Sequence, residues 1–77
     1  MNRKDKILTE FARNLTAIRN RKGQSIRQLA AAAGLEYSHV QRIEKGKVNL
    51  ALTTLVALAE GLEIEIRDLV SDYKMPG

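Results

Sequence analysis

Between Gly23 and Gly46 the chain reads QSIRQLAAAAGLEYSHVQRIEK, and a single glycine, Gly34, divides this stretch into two short segments of helical pattern. The first opens on Ser25-Ile26-Arg27-Gln28, which fits a capping box: the Ser hydroxyl takes a backbone N–H while the Gln side chain reaches back. It should run through Leu29 and the four alanines to Gly34, and the second from about Tyr37 to Lys45, with Gly46 as its stop. Gly34 supplies the left-handed backbone that a three-residue turn between helices needs. Leu29, Ala33, Leu35, Val40 and Ile43 are apolar where two crossed helices must bury a shared seam, and Ala30 is small where they would approach closely. The remaining segments must pack around this pair.

Those segments are helical too. Ile7, Leu8, Phe11, Leu15 and Ile18 recur at intervals of three and four, followed by a basic turn from Arg19 to Lys22 and the stop at Gly23. After a connector at 49–51, Leu52, Leu55, Val56, Ala59 and Leu62 mark a fourth helix. Glu63-Ile64-Glu65-Ile66 alternates like a strand, but a lone strand has no partner, so a turn into a short fifth helix, about Ile66 to Val70, is the better reading. The tail from Asp72 to Gly77 is expected to fray. With 77 residues there is room for one core only, built from Leu, Ile, Val and Ala, since Phe11, Tyr37 and Tyr73 are the only aromatics. The expectation is a compact, all-α, five-helix single domain spanning residues 1–77. Absence of Cys suits a reducing compartment, and no apolar run approaches the ~18 residues of a membrane span. The charged amino terminus is unlike a signal peptide, so a cytoplasmic protein is expected.

The chemistry concentrates on the segment Tyr37–Lys45. At 100° per residue, Tyr37, Gln41, Lys45, Ser38 and Arg42 fall within an arc of about 140°, opposite Val40 and Ile43, with His39 and Glu44 on the flanks. Ser38 and His39 are adjacent in sequence, but neighbours on a helix do not face each other, and no third group is at hand to orient the imidazole. One His without Cys assembles no metal cluster, and no Gly-rich phosphate loop occurs. An enzyme is therefore not expected, and neither is a cofactor. DNA fits the polar face: Arg grips guanine bidentately, Gln does so for adenine, Ser adapts, and Lys meets phosphate. Charge agrees. Residues 1–47 carry eleven basic and four acidic side chains, and residues 48–77 two basic and five acidic. A basic half and an acidic half imply one polyanion-facing surface and another with a different role.

The stretch SIRQLAAAAGLEYSHVQRIEKGK, with the following LTTLVALAEGLEI, resembles the Cro/CI-type helix-turn-helix of phage repressors and the wider xenobiotic-response-element (XRE) family of bacterial regulators. The likeness runs from about Phe11 to Val70, with the helix-turn-helix at about 25–46. It implies a lambda-repressor-like domain, of bacterial or phage origin, that binds operator DNA as a homodimer with its third helix in the major groove, in the cytoplasm at the nucleoid. By position, Tyr37, Ser38 and Arg42 would be the main base readers and Gln41 a secondary one. Phosphate contacts would come from the Ile26 backbone N–H, from Arg27, Lys45 and Lys47, and from His39 at the flank. Arg19 and Glu44 match a pair that ties the first helix to the third by a buried salt bridge.

This chain also departs from the family pattern. Ile26 replaces a Gln whose side chain touches phosphate, with Arg27 as the substitute. Gln24 replaces an apolar residue and removes a hydrophobic staple. Ala51 stands where Ser or Thr caps the fourth helix, leaving Asn49 or water to serve, and Glu63 stands at a Gly stop, predicting a looser turn. One recognition helix reads few base pairs, so two copies are expected. Ile66, Leu69 and Val70 are more apolar surface than a short terminal helix needs and are the expected two-fold contact. Such a domain resembles phage Cro-like repressors and the controllers of restriction–modification systems. The alternative is an antitoxin that holds a toxin protein and regulates its own operon.

Overall fold

The computed structural model describes residues 2–71, and the tail expected to fray at Asp72–Gly77 lies outside them. Five α-helices follow one another: α1 (Arg3–Arg21), α2 (Ile26–Ala33), α3 (Tyr37–Glu44), α4 (Leu52–Leu62) and α5 (Ile66–Val70). The described residues contain no strand, so the alternation at Glu63–Ile66 is indeed the turn into a fifth helix. No helix among them is long and apolar enough to cross a membrane.

Local chemistry accounts for most of the boundaries. The side chain of Asn2 accepts the Asp5 N–H at 2.8 Å, capping α1 and extending it back over the charged residues before Ile7. Both bonds of the α2 capping box form, Gln28 N–H to Ser25 Oγ at 3.0 Å and Ser25 N–H to Gln28 Oε1 at 2.8 Å. Gly34 sits at φ +69°, and the Leu35 N–H returns to the Ala30 carbonyl at 2.9 Å, closing α2.

Two expectations about α4 need correction. Among the described residues, neither Asn49 nor any other side chain caps its start at Ala51. Its end is not loose: Glu63 adopts φ 56°, ψ 47°, and the Ile64 N–H bonds the Ala59 carbonyl at 3.0 Å, so the turn is as tight as a glycine would make it. The apolar docking that follows, with Ile64 packed against the core, outweighs the cost of a left-handed Glu.

Leu15, Leu29, Val40, Ile43, Leu58, Leu62 and Leu69 form the fully buried centre, drawn from all five helices. The alanine run is only partly packing: Ala30 is buried, whereas Ala31 and Ala32 are exposed. Ala33 faces Gly61 of α4, where an added Cβ would lie 3.0 Å from the Ala33 nitrogen and 3.1 Å from its Cβ. A side chain at 61 would thus hold α2 and α4 apart. Buried Asn14 ties α5 down, donating from Nδ2 to the carbonyls of Asp68 at 2.9 Å and Leu69 at 2.8 Å. A five-residue helix cannot satisfy its own last carbonyls, and Asn14 does so from α1.

Candidate nucleic-acid interface

Val40 and Ile43 are 0% and 1% exposed, which fixes the rotation of α3 about its axis. That rotation leaves Tyr37, Ser38, Arg42 and Lys45 exposed together, with Gln41 and His39 half-buried beside them. Ser38 and His39 make no side-chain hydrogen bond to each other among the described residues, and an apolar groove lies away from them, between α1, the α3–α4 connector, the start of α4 and Val70. Arg27 and Lys47 are exposed, and Ile26 is half-buried with its side chain on the core. The capping box engages the N–H groups of Ser25 and Gln28, so those of Ile26 and Arg27 are the ones left over at the start of α2.

Glu44 turns away from this face. Its carboxylate accepts from Arg19 Nε at 2.6 Å, Arg19 Nη2 at 3.0 Å and Thr16 Oγ1 at 2.9 Å, with the two charged side chains 12% and 7% exposed. Arg19 Nη1 also donates to the Gln24 carbonyl at 2.7 Å. The network joins α1, the α1–α2 turn and the last turn of α3, so neither charge is available to an outside partner. Bidentate, nearly dry and fully paired, it orients the end of α3. Thr16 escaped sequence reasoning, although its place one turn before Arg19 on α1 was a usable signal. Gln24, in place of a staple residue, reaches α4 instead, with Nε2 3.4 Å from the Gly61 carbonyl.

A second unforeseen contact lies on the exposed side. The Arg27 guanidinium carbon stands 4.6 Å from the centroid of the Tyr37 ring, linking the first turns of α2 and α3.

One residue of the expected two-fold contact is not on the surface. Leu69 is 0% exposed and packs inside its own protomer, because Asn14 holds α5 with that residue inward. It has no surface to give a second copy. Ile66 and Val70 remain exposed, at 39% and 46%, and Ile7 and Leu52 join them, Leu52 at 71%. Ile7, Leu52 and Val70 border the open apolar groove of about 580 Å³.

The sequence pattern of the helix-turn-helix family HTH_3 matches residues 15–69, which include α2, α3 and α4 entire. An uncharacterized HTH-type transcriptional regulator, y4dL, of Sinorhizobium fredii (strain NBRC 101917 / NGR234) is 39% identical over 56 residues, which are 73% of this chain and 29% of that protein. The chain thus spans under a third of that relative's length. Among solved structures, the restriction-modification controller protein C.AhdI from Aeromonas hydrophila superposes with a TM-score of 0.79 at 39% identity, covering 80% of this chain and 94% of that one. An HTH_3 family transcriptional regulator from Vibrio cholerae shares the fold, with a TM-score of 0.85 at 23% identity over 90% of this chain and 39% of that one. With the two short helices, their glycine turn and the exposed polar face of α3 in place, the chain belongs to the XRE-type helix-turn-helix family HTH_3.

Proposed function

We propose that this protein binds a specific operator in double-stranded DNA as a homodimer, with α3 in the major groove, and represses or autoregulates transcription there. The observation that carries this reading is the exposure of Tyr37, Ser38, Arg42 and Lys45 on one face of a helix whose opposite face is locked by Val40 and Ile43. A helix about eight residues long fits the groove, and these side chains match base edges and phosphates in type. Base contacts fall to Tyr37, Ser38 and Arg42, with Gln41 behind them. The Ile26 N–H, Arg27, His39, Lys45 and Lys47 meet phosphate. The likeness to a restriction-modification controller over nearly the whole of that protein supports a small regulator of this kind.

Two copies give the reading length that one α3 lacks, and symmetric half-sites about 34 Å apart would match them. Ile66 and Val70, with Leu52 and Ile7 around the groove, form the apolar surface for that two-fold contact.

Selection of bound sites from random DNA tests the proposal. A palindromic consensus is expected. Arg42→Ala should then relax preference at one position per half-site, whereas Lys47→Ala should weaken all sites alike and lower the salt dependence. Recovery of no consensus, or equal effects from both substitutions, would count against this division of roles.

A further inference from the structure

Arg27 occupies the second position of α2, where the partial positive charge of the helix start disfavours a cation. The ion pairs of the described residues are Arg13–Glu10 and Arg19–Glu44, so no carboxylate offsets this. What stands beside the guanidinium is the ring of Tyr37, the first residue of α3, 4.6 Å away at its centroid. Stacking uses the flat face of a guanidinium and leaves its N–H edge outward, the edge that grips phosphate or guanine in a fork. Tyr37 is 38% exposed, at the border between the polar face of α3 and the start of α2.

We propose that Arg27 and Tyr37 work as one unit across the turn, in which the Tyr37 ring holds the Arg27 guanidinium edge-on to the DNA. This rests on the DNA-binding reading above and changes what Tyr37 contributes within it. Its share of recognition passes through the ring to Arg27, and the hydroxyl on a base edge is secondary. Tyr37 is in this sense a positioning residue, and Arg27 the residue it positions. A flexible Arg on a helix start would lose much of its contact energy to rotamer entropy, and the ring removes that freedom before DNA arrives.

The test is a double-substitution cycle on affinity for the selected site, using Tyr37→Phe, Tyr37→Leu, Arg27→Gln and the pair Arg27→Gln/Tyr37→Leu. Tyr37→Phe keeps the ring and should lose clearly less affinity than Tyr37→Leu. Tyr37→Leu should weaken binding roughly two- to thirty-fold per half-site, the range of one cation–π contact. That loss should disappear in the Arg27→Gln background. In the free protein, the δ protons of Arg27 should show an upfield ring-current shift in NMR spectra that Tyr37→Leu abolishes and Tyr37→Phe retains. Equal losses for Phe and Leu would overturn the proposal in favour of the hydroxyl, and an undiminished Leu effect without Arg27 would overturn the coupling. A parent protein that selects no sequence would overturn the DNA reading and this proposal with it, an outcome distinct from additive losses in a protein that does select.

Discussion

At Glu44 a single carboxylate receives three hydrogen bonds from α1, two from Arg19 and one from Thr16. Because both charges are nearly dry, each is compensated chiefly by the other, and removing one leaves its partner charged, buried and short of hydrogen bonds. Arg19→Met should therefore cost about 3–5 kcal/mol in urea unfolding. Against the roughly 4–12 kcal/mol that a domain of this size possesses, such a loss approaches unfolding. The comparison is Arg13, whose side chain is 68% exposed in its pair with Glu10. Arg13→Met should change stability by less than about 1 kcal/mol, since water screens that pair. Similar costs for the two substitutions would show that burial is not what gives Arg19 its importance. Sequence position alone pairs Arg13 with Glu10, three residues apart; that Arg19 is the enclosed arginine follows only from the family resemblance.

Among the helices, stability turns on two positions in α4 and its exit. Glu63 holds a left-handed conformation that favours glycine, at φ 56°. Glu63→Gly should remove a strain of about 1–2 kcal/mol and add back some chain entropy, for a net gain of about 0.5–1 kcal/mol in a thermal melt. A lower melting midpoint would mean that the Glu side chain itself stabilises the turn. Gly61 presents the opposite case. Its helix would favour almost any side chain, yet the Ala33 nitrogen lies 3.0 Å from where a Cβ would sit. Gly61→Val should force α2 from α4 and cost about 2–3 kcal/mol in urea unfolding, a typical overpacking penalty. Unchanged stability would show that the two helices separate freely, which their buried leucines argue against.

Along the chain, the excess of basic residues and the apolar surface of α5 lie apart. The basic residues gather in the half that contains α2 and α3, while the exposed Ile66 and Val70 lie in the acidic half. If the dimer neutralises ~6–8 phosphates, log K should fall with log salt at a slope of about −5 to −7. Ile66→Lys combined with Val70→Lys should produce monomers in analytical ultracentrifugation and roughly halve that slope. Both residues are exposed, so the protomer's melting behaviour should survive. Deleting α5 would be a poorer test, since it also removes Leu69 from the core. Doubly substituted protein that still sediments as a dimer would move the two-fold contact away from α5.

What depends on neighbours three or four residues apart can be read from the order of the amino acids alone. The capping box at Ser25, the stop at Gly34, the stripes of five helices and the polar arc of α3 are all local, and each is visible in a short window. How a helix is rotated, and what it meets, is settled only when the helices pack together. Ile7 and Leu69 carry the same kind of side chain, but Ile7 is turned partly outward and Leu69 is enclosed. The bond that decides the second joins Asn14 to a carbonyl 55 residues away. A polar residue in an apolar stripe marks such a place without naming its partner. The Gly61–Ala33 approach, the Thr16 bond to Glu44 and the Arg27–Tyr37 stack are of the same kind. Each joins residues on different helices, whose separation no periodicity encodes.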